Sequence, residues 1–316
     1  RDVERSRGLG DVYKRQVLMG GFSAEREVSL SSGQDIVDAL KQKGYDAFAH
    51  DLTDVWKFIE VLKNEKPDAV FNGLYGNWGE DGEIQGLLDL LQIPYTHSGV
   101  KASCIGMDKA ATKMAAEACG IKTAKSEKMT AGSFLKNGTS IPFPYVVKPV
   151  CDGSSVGVYI VQNAEDIKNV RYEDLNREVL IEAYVEGQEL TSMCLEGKAY
   201  VVTELRPNLA FYDYKAKYTD GMTRHILPAE IPDEAAETCK RYTEELYRAL
   251  GCNTVARCDF RYNPTDGVVL LEINTNPGMT ALSLVPEQAK YAGISYPDLC
   301  EKLVKGAACR KLPNIR

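Results

Sequence analysis

Short apolar runs and segments of helical period alternate over residues 17–98. The runs Val17–Met19 and Ala69–Asn72 have the length and composition of buried strands. In Val28–Lys43 the apolar residues recur three and four positions apart, which is typical of a helix with one buried face. The other segments are a strand near Ala47 and helices over Val55–Leu62 and Gly82–Leu91. This alternation predicts a small α/β layer built on a parallel sheet.

The rest of the chain divides into two further units. The second, residues 99–187, has a helix over Lys109–Cys119 and strands at Tyr145–Lys148, Val158–Val161 and Val179–Ile181. The third, residues 188–316, has strands near 190–195, 199–205, 254–262 and 268–274 and helices over 233–250 and 296–306. A polar and aromatic loop over 207–228 interrupts it, and loops of that length are usually functional or disordered. We therefore predict α/β and α+β units in three domains.

Residues 1–16 do not fit this pattern. They lack a Met, the apolar core of a signal peptide and any clear period. Lys14, Arg15 and Gln16 stand where the first half of a buried strand is expected, directly before Val17. We therefore expect residues 1–16 to be a non-native or disordered extension and leave them out of the functional argument.

Composition narrows the class of protein. With 316 residues, 44% of them hydrophobic and 26% charged, the chain is typical of a globular protein of two or three domains. No apolar run is long enough to span a membrane, and a net charge of -7 argues against a nucleic-acid surface. None of the nine cysteines forms a CxxC pair, which favours free thiols in a reducing cytosol. The three histidines are too far apart in sequence for a local zinc motif.

The segment Leu270–Met279 carries the clearest candidate chemistry. Glu272 and Asn274 are two positions apart, so in a strand both side chains leave the same face. Asp259 lies in another apolar run upstream, and a hairpin through Asn263–Gly267 would bring it to Glu272. Taken alone, Glu272 is more often a surface-polar strand position, but oxygen ligands grouped in this way favour a Mg²⁺ site.

Three other segments are weaker signals of nucleotide binding. The Gly/Ser loop Asp152–Gly157 follows Lys148, so backbone N–H groups and a cation could meet phosphate, although such a loop is often an ordinary turn. The linker Glu182–Glu189 offers backbone groups and carboxylates that could read adenine and ribose, or it is a solvated connection. Phe211–Tyr218 contains three tyrosines and two lysines and is either a cover for a core edge or a lid over a phosphate.

These motifs together resemble one family. In chain order they are GGFSAEREVSL (20–30), GEDGEIQGLL (79–88), PYTHSG (94–99), MDK (107–109), VVKP (146–149), DGSSVG (152–157), FYDYKAKY (211–218), RCDF (257–260) and EINTNPGMTALSLVPEQA (272–289). The order and content resemble the D-alanine–D-alanine ligases from about residue 17 to 306. The resemblance implies an ATP-grasp fold of three domains, with an N-terminal parallel α/β domain that binds substrate.

The resemblance also implies a role for each matching residue. ATP would be held by Lys109, Lys148, Ser154, Ser155, Glu182, Ala183, Val185, Glu189 and Lys217. Two Mg²⁺ ions, or Mn²⁺ in their place, would be bound by Asp259, Glu272 and Asn274. The first D-alanine would meet Glu25, which is linked to Ser154 and Tyr218, and the second would meet Ser283 and Leu284. Arg257 and Gly278 would stabilise the tetrahedral intermediate.

Two departures from the family pattern affect these expectations. Near the first substrate site the family usually has His in the triplet that here reads Leu74-Tyr75-Gly76, so the resemblance implies that Tyr75 is a substrate residue. Tyr75 cannot become a cation near neutral pH, so the handling of the first substrate could differ. Asp152 replaces a more usual Glu. We expect a cytoplasmic enzyme, commonly a homodimer in this family, that joins two D-alanines through an acylphosphate for peptidoglycan synthesis. The alternatives are a D-Ala–D-Ser or D-Ala–D-lactate ligase, although Tyr218 favours D-alanine over D-lactate, and a non-catalytic ATP-binding homologue.

Overall fold

Three β-sheets organise the part of the chain that the computed structural model describes, which is residues 13–153, 157–207 and 223–312. One sheet is parallel and the other two are antiparallel. The nine cysteines are all free thiols, as the sequence predicts. In the described ranges no helix is long and apolar enough to cross a lipid bilayer.

The parallel sheet has the strand order β2-β1-β3 and confirms the predicted N-terminal α/β layer. Its elements are β1 Lys14–Gly20, α1 Arg26–Gln42, β2 Asp46–Leu52, α2 Val55–Glu65, β3 Ala69–Asn72 and α3 Glu83–Leu90. Helix α1 buries Ile36, Val37 and Leu40, which are the positions that its apolar period selects. The turn after β1 therefore places Glu25, at the start of α1, at the carboxyl edge of the sheet.

Strand β1 begins at Lys14, three residues before the predicted start. Arg15 and Gln16 pair with both neighbouring strands, so residues 14–16 are not a disordered extension, and the expectation that they are non-native stays a prediction. The Gln16 side chain is fully buried, and its amide oxygen and nitrogen have no hydrogen-bond partner among the described residues. A buried amide without partners destabilises a fold, so Gln16 is a poor residue for this strand. Residues 1–12 lie outside the described ranges.

The central antiparallel sheet has the order β4-β7-β5-β6. Its elements are β4 Ser126–Thr130, α6 Ala131–Asn137, β5 Tyr145–Pro149, β6 Tyr159–Val161, a 3₁₀ turn at Asp166–Asn169 and β7 Glu178–Ala183. Phe134, Tyr145 and Ile181 are buried together in the core between this sheet and α6. Lys148 on β5 and Glu182 on β7 lie on the two inner, neighbouring strands of this sheet, and both are predicted site residues.

The third sheet is antiparallel, with the order β10-β9-β8-β11-β12. Its elements are β8 Gln188–Leu195, β9 Lys198–Pro207, β10 Thr223–Ile226, α7 Asp233–Leu250, β11 Val255–Asn263, β12 Gly267–Asn274, α8 Leu284–Tyr291 and α9 Tyr296–Lys305. Helix α7 is amphipathic and buries Cys239, Leu246 and Leu250 against the sheet. Sequence reasoning found most of these elements but missed α8 and β10, and β10 corrects the predicted loop over 207–228, because its residues pair with β9. In the other parts of the chain it missed β4, α6 and the helix over Val100–Met107.

Helices α4 (Val100–Met107) and α5 (Lys109–Ala118) lie between the central unit and the third sheet. Their apolar residues Ala102 and Ala116 are buried in one cluster with Phe260 and Leu270 of β11 and β12. The predicted boundary at residue 99 therefore assigned these helices to the central unit, whereas their core contacts are with the third sheet. The apolar faces of α4 and α5 do not by themselves predict which sheet these helices pack against.

The first and last parts of the chain share a hydrophobic core. Val17 and Ile36 of the parallel layer are buried in one cluster with Leu303 and Val304 of α9. The segment after α9 also pairs with the parallel layer, because the backbone amides of Tyr95 and Ala308 each donate to the other's carbonyl. The N-terminal layer and the C-terminal helices therefore form one packed body.

Candidate active site

A cleft of about 320 Å³ lies where the three sheets meet. Every predicted site residue that the structure describes lines it, namely Glu25, Tyr75, Lys109, Lys148, Glu182, Ala183, Val185, Glu189, Arg257, Asp259, Glu272, Asn274, Gly278, Ser283 and Leu284. Four other predicted residues, Ser154, Ser155, Lys217 and Tyr218, lie outside the described ranges. Positions that are far apart in the sequence are therefore brought to one cavity.

Asp259 and Glu272 are directly opposite each other on β11 and β12, as the predicted hairpin requires. The register shifts by one residue immediately after Asp259, and such a bulge re-aims side chains at the edge of a site. Asn274 is two residues beyond Glu272 and also lines the cleft. Three oxygen-bearing side chains therefore meet at the end of one hairpin.

Basic side chains balance these carboxylates. Arg257 donates to both oxygens of Asp259, from Nε at 3.0 Å and from Nη2 at 2.9 Å. The Thr191 hydroxyl donates to Asp259 Oδ1 at 2.6 Å. Lys109 Nζ lies 3.9 Å from Glu272 Oε2 and also donates to the backbone carbonyl of Asp152. Lys109 therefore joins the start of the Gly/Ser loop at Asp152 to the hairpin carboxylates.

The donor set of this hairpin fits Mg²⁺. In the described ranges no cluster of three or more His, Cys, Asp or Glu side chains forms a metal cage. The hairpin supplies two carboxylates and one amide oxygen, all of which are hard donors. Mg²⁺ is usually bound through one or two carboxylates with nucleotide phosphates supplying further ligands. The hairpin fits that mode of binding and does not fit a complete protein cage.

Glu182 lines the cleft and lies between two lysines. Its Oε2 is 2.5 Å from Lys113 Nζ, and its Oε1 is 3.0 Å from Lys148 Nζ. All three side chains are buried. Sequence reasoning missed Lys113, although it lies four residues after Lys109 in α5 and so on the same helix face.

The two lysines favour the ionised form of Glu182. Burial alone would raise the pKa of the Glu182 carboxyl, but the charges of Lys148 and Lys113 outweigh it and hold this pKa below its ordinary value. Burial lowers the pKa of Lys113, and the attraction of Glu182 opposes that effect only in part. A buried carboxylate between two ammonium groups has a fixed position, so Lys148 is held at the cleft wall by Glu182.

The strand exit beyond Glu182 forms another wall of the cleft. The backbone amide of Ala183 donates to the Lys125 carbonyl, and that of Tyr184 donates to the Pro144 carbonyl. Glu189, at the start of β8, accepts from Arg261 Nη2 at 3.0 Å. Arg261 also lines the cleft and was missed by sequence reasoning, although it is two positions from Asp259 on the same strand.

The Glu25 loop forms the opposite wall. Glu25 occupies the N-cap of α1, but its side chain makes no capping hydrogen bond. The Ser23 hydroxyl accepts from the Glu25 amide at 3.2 Å and donates to the Tyr75 carbonyl at 2.6 Å. Gly76 has φ +71°, and a Cβ at this position would lie 2.9 Å from Glu25 Oε2. Gly76 is therefore required both by its backbone conformation and by the closeness of the carboxylate.

Glu80 is a second acid at this wall that sequence reasoning missed. It lines the cleft and belongs to the GEDG motif. Burial, and then the negative charge of Glu25, raise the pKa of the Glu80 carboxyl well above its ordinary value. A neutral carboxyl can donate a hydrogen bond as well as accept one, and the raised pKa favours this form of Glu80.

Tyr75 is buried between the two walls, with 4% of its surface exposed. Its hydroxyl is 2.8 Å from Ser32 Oγ and accepts from the Met279 amide at 3.0 Å. Burial raises the pKa of Tyr75 to about 12, so the hydroxyl is neutral at physiological pH. The hydroxyl of Tyr75, which was predicted to be a substrate residue, is therefore hydrogen-bonded to other residues of the protein.

The turn after β12 completes the cleft. Gly278 lies against Ser283, because a Cβ on Gly278 would be 3.0 Å from Ser283 Oγ. Ser283 Oγ accepts from the Thr280 amide at 3.0 Å, and Leu284 begins helix α8 immediately afterwards. A helix N-terminus favours an anionic group through its backbone N–H groups. This end of the cleft is therefore suited to a carboxylate.

Comparison with known proteins places this site in a family. A family model described as D-ala D-ala ligase C-terminus matches residues 114–305, more than half of the chain. A D-alanine–D-alanine ligase from Gluconobacter oxydans is 45% identical over 303 residues, with 94% of this chain and 100% of the relative covered. The chain belongs to the D-alanine–D-alanine ligase family. Membership in this family confirms the resemblance that the nine motifs indicated.

Solved structures of the family have the same fold. The Bacillus anthracis D-alanine–D-alanine ligase complexed with ATP is 32% identical, with a TM-score of 0.79 and coverage of 94% of this chain and 97% of that one. A D-Ala:D-Ser ligase from Enterococcus faecalis is 26% identical, with a TM-score of 0.76 and coverage of 93% and 99%. The predicted ATP-grasp fold, with its α/β and α+β units, is therefore confirmed.

Proposed function

We propose that this protein joins two D-alanine molecules and converts ATP to ADP and phosphate. One observation carries the proposal. The Asp259–Glu272 pair, Lys109 and Lys148 line the same cleft as Glu25 and Gly278. Groups suited to a nucleotide, a cation, an ammonium and a developing oxyanion thus meet in one cavity, and family membership supports D-alanine as the substrate.

In the first step the carboxylate of one D-alanine attacks the γ-phosphorus of ATP. An O–P bond forms, the bond to ADP breaks, and an acylphosphate results. Because the carboxylate and the triphosphate are both anionic, cations must offset their repulsion. Lys109 and Lys148 supply two of these charges, and Glu25 would hold the substrate ammonium away from the reacting carboxyl.

In the second step the amine of another D-alanine attacks the acyl carbon. A C–N bond forms, the amine loses a proton, and phosphate leaves as the tetrahedral intermediate collapses. Arg257 and the Gly278 amide would stabilise the oxyanion of that intermediate, a role worth about 3 kcal/mol per donor in comparable acyl transfers. Ser283 and the Leu284 amide would receive the carboxylate of this second D-alanine.

We propose that Asp259, Glu272 and Asn274 hold two Mg²⁺ ions together with the phosphates of ATP, and that Mn²⁺ can replace them. When bound, these ions neutralise the transferred phosphoryl group. Glu182, Ala183, Val185 and Glu189 are proposed to bind the adenosine, and Ser154, Ser155, Lys217 and Tyr218 keep the roles that the resemblance implies. The oxygen chemistry of the hairpin supports the metal assignment.

We also propose a cytoplasmic homodimer that supplies peptidoglycan synthesis. ATP as co-substrate and the nine free thiols support a reducing compartment. The dimer rests on the resemblance to the family, and light scattering of the purified protein measures it.

Phosphate release with ATP, Mg²⁺ and one amino acid at a time tests the function. D-alanine is expected to drive release, L-alanine is not, and mass analysis is expected to find D-alanyl-D-alanine. Incubation with D-alanine plus D-serine or D-lactate identifies the alternative ligases by product mass. ATP binding without D-alanine-dependent release would contradict the proposal and favour a non-catalytic homologue. Arg257→Ala is expected to lose at least a hundredfold in kcat and to keep its ATP affinity.

A further inference from the structure

The Tyr75 residue contacts both halves of the proposed substrate site. Its backbone carbonyl accepts from the Ser23 hydroxyl at 2.6 Å, and Ser23 also accepts from the amide of Glu25. Its side-chain hydroxyl accepts from the backbone amide of Met279 at 3.0 Å, next to Gly278. One residue is thus bonded to the wall that faces the first substrate and to the turn that faces the reacting carbonyl.

A second hydrogen bond joins the same two segments. Asn276 Nδ2 donates to the Leu74 carbonyl at 2.7 Å, so consecutive residues of one segment bind the turn after β12. Asn276 and Met279 are each 1% exposed, and water therefore has little access to either contact. The direction of the Gly278 amide depends on this turn, because Gly278 lies between the two attached residues.

The Tyr75 hydroxyl is suited to a fixed position. Ser32 Oγ donates to the Ser29 carbonyl, and Tyr75 accepts from Met279, so the remaining hydrogen of Tyr75 can bond Ser32. The hydroxyl thus has a donor partner and an acceptor partner, both buried. A buried hydroxyl that both donates and accepts a hydrogen bond is held in place more strongly than one that contacts solvent.

We propose that Tyr75 is a positioning residue for the second step, which fixes the Gly278 turn through its hydroxyl without contacting substrate through that atom. This inference rests on the proposed function. It also separates two roles of one residue, since the backbone of Tyr75 supports the Glu25 loop and the side chain supports the oxyanion turn.

The variant Tyr75→Phe removes one oxygen and retains the ring and the backbone. We expect kcat to fall about tenfold, because the Met279 amide loses its acceptor and the turn is no longer fixed. The KM values for ATP and for the first D-alanine are expected to stay within about twofold, since the backbone contact with Ser23 remains. A dipeptide analogue with a tetrahedral phosphinate in place of the peptide carbonyl is expected to bind about tenfold more weakly.

Ser32→Ala is the matched control, because it removes the other partner of the hydroxyl and leaves the Met279 contact. It is expected to lower the melting temperature as much as Tyr75→Phe does, but to change kcat and phosphinate affinity much less, because the Met279 amide keeps its acceptor. Asn276→Leu removes the neighbouring contact of the same turn and is expected to repeat the Tyr75→Phe pattern. If Tyr75→Phe does not fold, this third variant decides the question.

Two results would overturn the proposal. One is a Tyr75→Phe enzyme of lowered melting temperature with unchanged kcat and phosphinate affinity, which would make Tyr75 structural only. The other is a large rise in the D-alanine KM with kcat unchanged, which would make the hydroxyl a substrate contact. Failure of the unsubstituted protein to make D-alanyl-D-alanine would instead contradict the proposed function. Binding of the phosphinate is measured by calorimetry without turnover, so the two failures are distinguishable.

Discussion

Lys113 and Glu182 form a buried ion pair in the wall of the cleft, with 2.5 Å between Nζ and Oε2. The pair joins a helix packed on the five-stranded sheet to a strand of the central sheet. Glu182 in turn holds Lys148, which is proposed to meet ATP phosphate. A lysine that lines no part of the cleft therefore determines the position of one that does.

Replacing Lys113 by Met tests that dependence. Removing one partner of a buried ion pair costs about 3–5 kcal/mol, because the other charge stays buried. We expect Lys113→Met to lower the free energy of unfolding by that amount and to raise the KM for ATP about tenfold, measured by urea unfolding and steady-state kinetics. Lys128→Met is the control, since Lys128 forms an exposed pair with Glu178 worth less than about 1 kcal/mol. Equal ATP affinity in both variants would show that Lys113 has no influence on Lys148.

The hairpin carboxylates should set the metal requirement. Asp259→Asn and Glu272→Gln keep the shape of each side chain and remove its charge. We expect each to raise the Mg²⁺ concentration for half-maximal activity at least tenfold and to lower kcat about a hundredfold, because fewer anionic ligands bind the ion. Asp266→Asn changes an exposed acid in the turn of the same hairpin and is expected to behave as wild type. An unchanged Mg²⁺ dependence in Glu272→Gln would exclude Glu272 as a ligand.

Gly76 provides a test of the first-substrate wall. Gly76→Ala places a methyl group against Glu25 Oε2 and also strains a backbone with φ +71°. Gly120 has φ +72°, and no atom lies within 4 Å of the position that a Cβ would take. Gly120→Ala therefore introduces the backbone strain without a steric contact. Both variants should lose about 1 kcal/mol of stability, measured by thermal unfolding. Only Gly76→Ala is expected to raise the KM for D-alanine, by about tenfold or more, and a similar rise in Gly120→Ala would refute the explanation.

Glu80 should make stability depend on pH. Burial and the charge of Glu25 raise the pKa of Glu80 in the folded state above the value of about 4.3 found in unfolded chains. The folded state therefore binds the proton more tightly, and this stabilisation is present at low pH and lost as the pH rises through the folded-state pKa. We therefore expect the unfolding free energy of wild type, relative to that of Glu80→Gln, to fall as the pH is raised through the folded-state pKa of Glu80. A difference that is constant with pH would contradict the raised pKa.

Much of the hairpin site follows from the sequence. The two-residue period of Glu272 and Asn274, and the turn residues between the strands, are sufficient to pair Asp259 with Glu272. The adenosine and substrate residues came from the resemblance, and the structure brings the described ones into the same cleft. Their binding roles stay predictions.

Other features depend on tertiary contacts that no local pattern encodes. Lys113 has the spacing of an ordinary solvated helix residue, and its burial becomes visible only when β7 is placed beside α5. The bond between Tyr75 and Met279 joins residues 204 positions apart, so it has no signal in local periodicity. The same holds for α4 and α5, whose apolar faces would fit either neighbouring sheet.

The core shared by α1 and α9 has a consequence for synthesis of the chain on the ribosome. Ile36 of the parallel layer gains contact with the cluster of Leu303 and Val304 only after α9, more than 250 residues later, has emerged. Until then an apolar helix face remains open to other nascent chains, and exposed surfaces of this kind promote aggregation. We expect a chain truncated before α9 to stay bound to chaperones more than the full chain does.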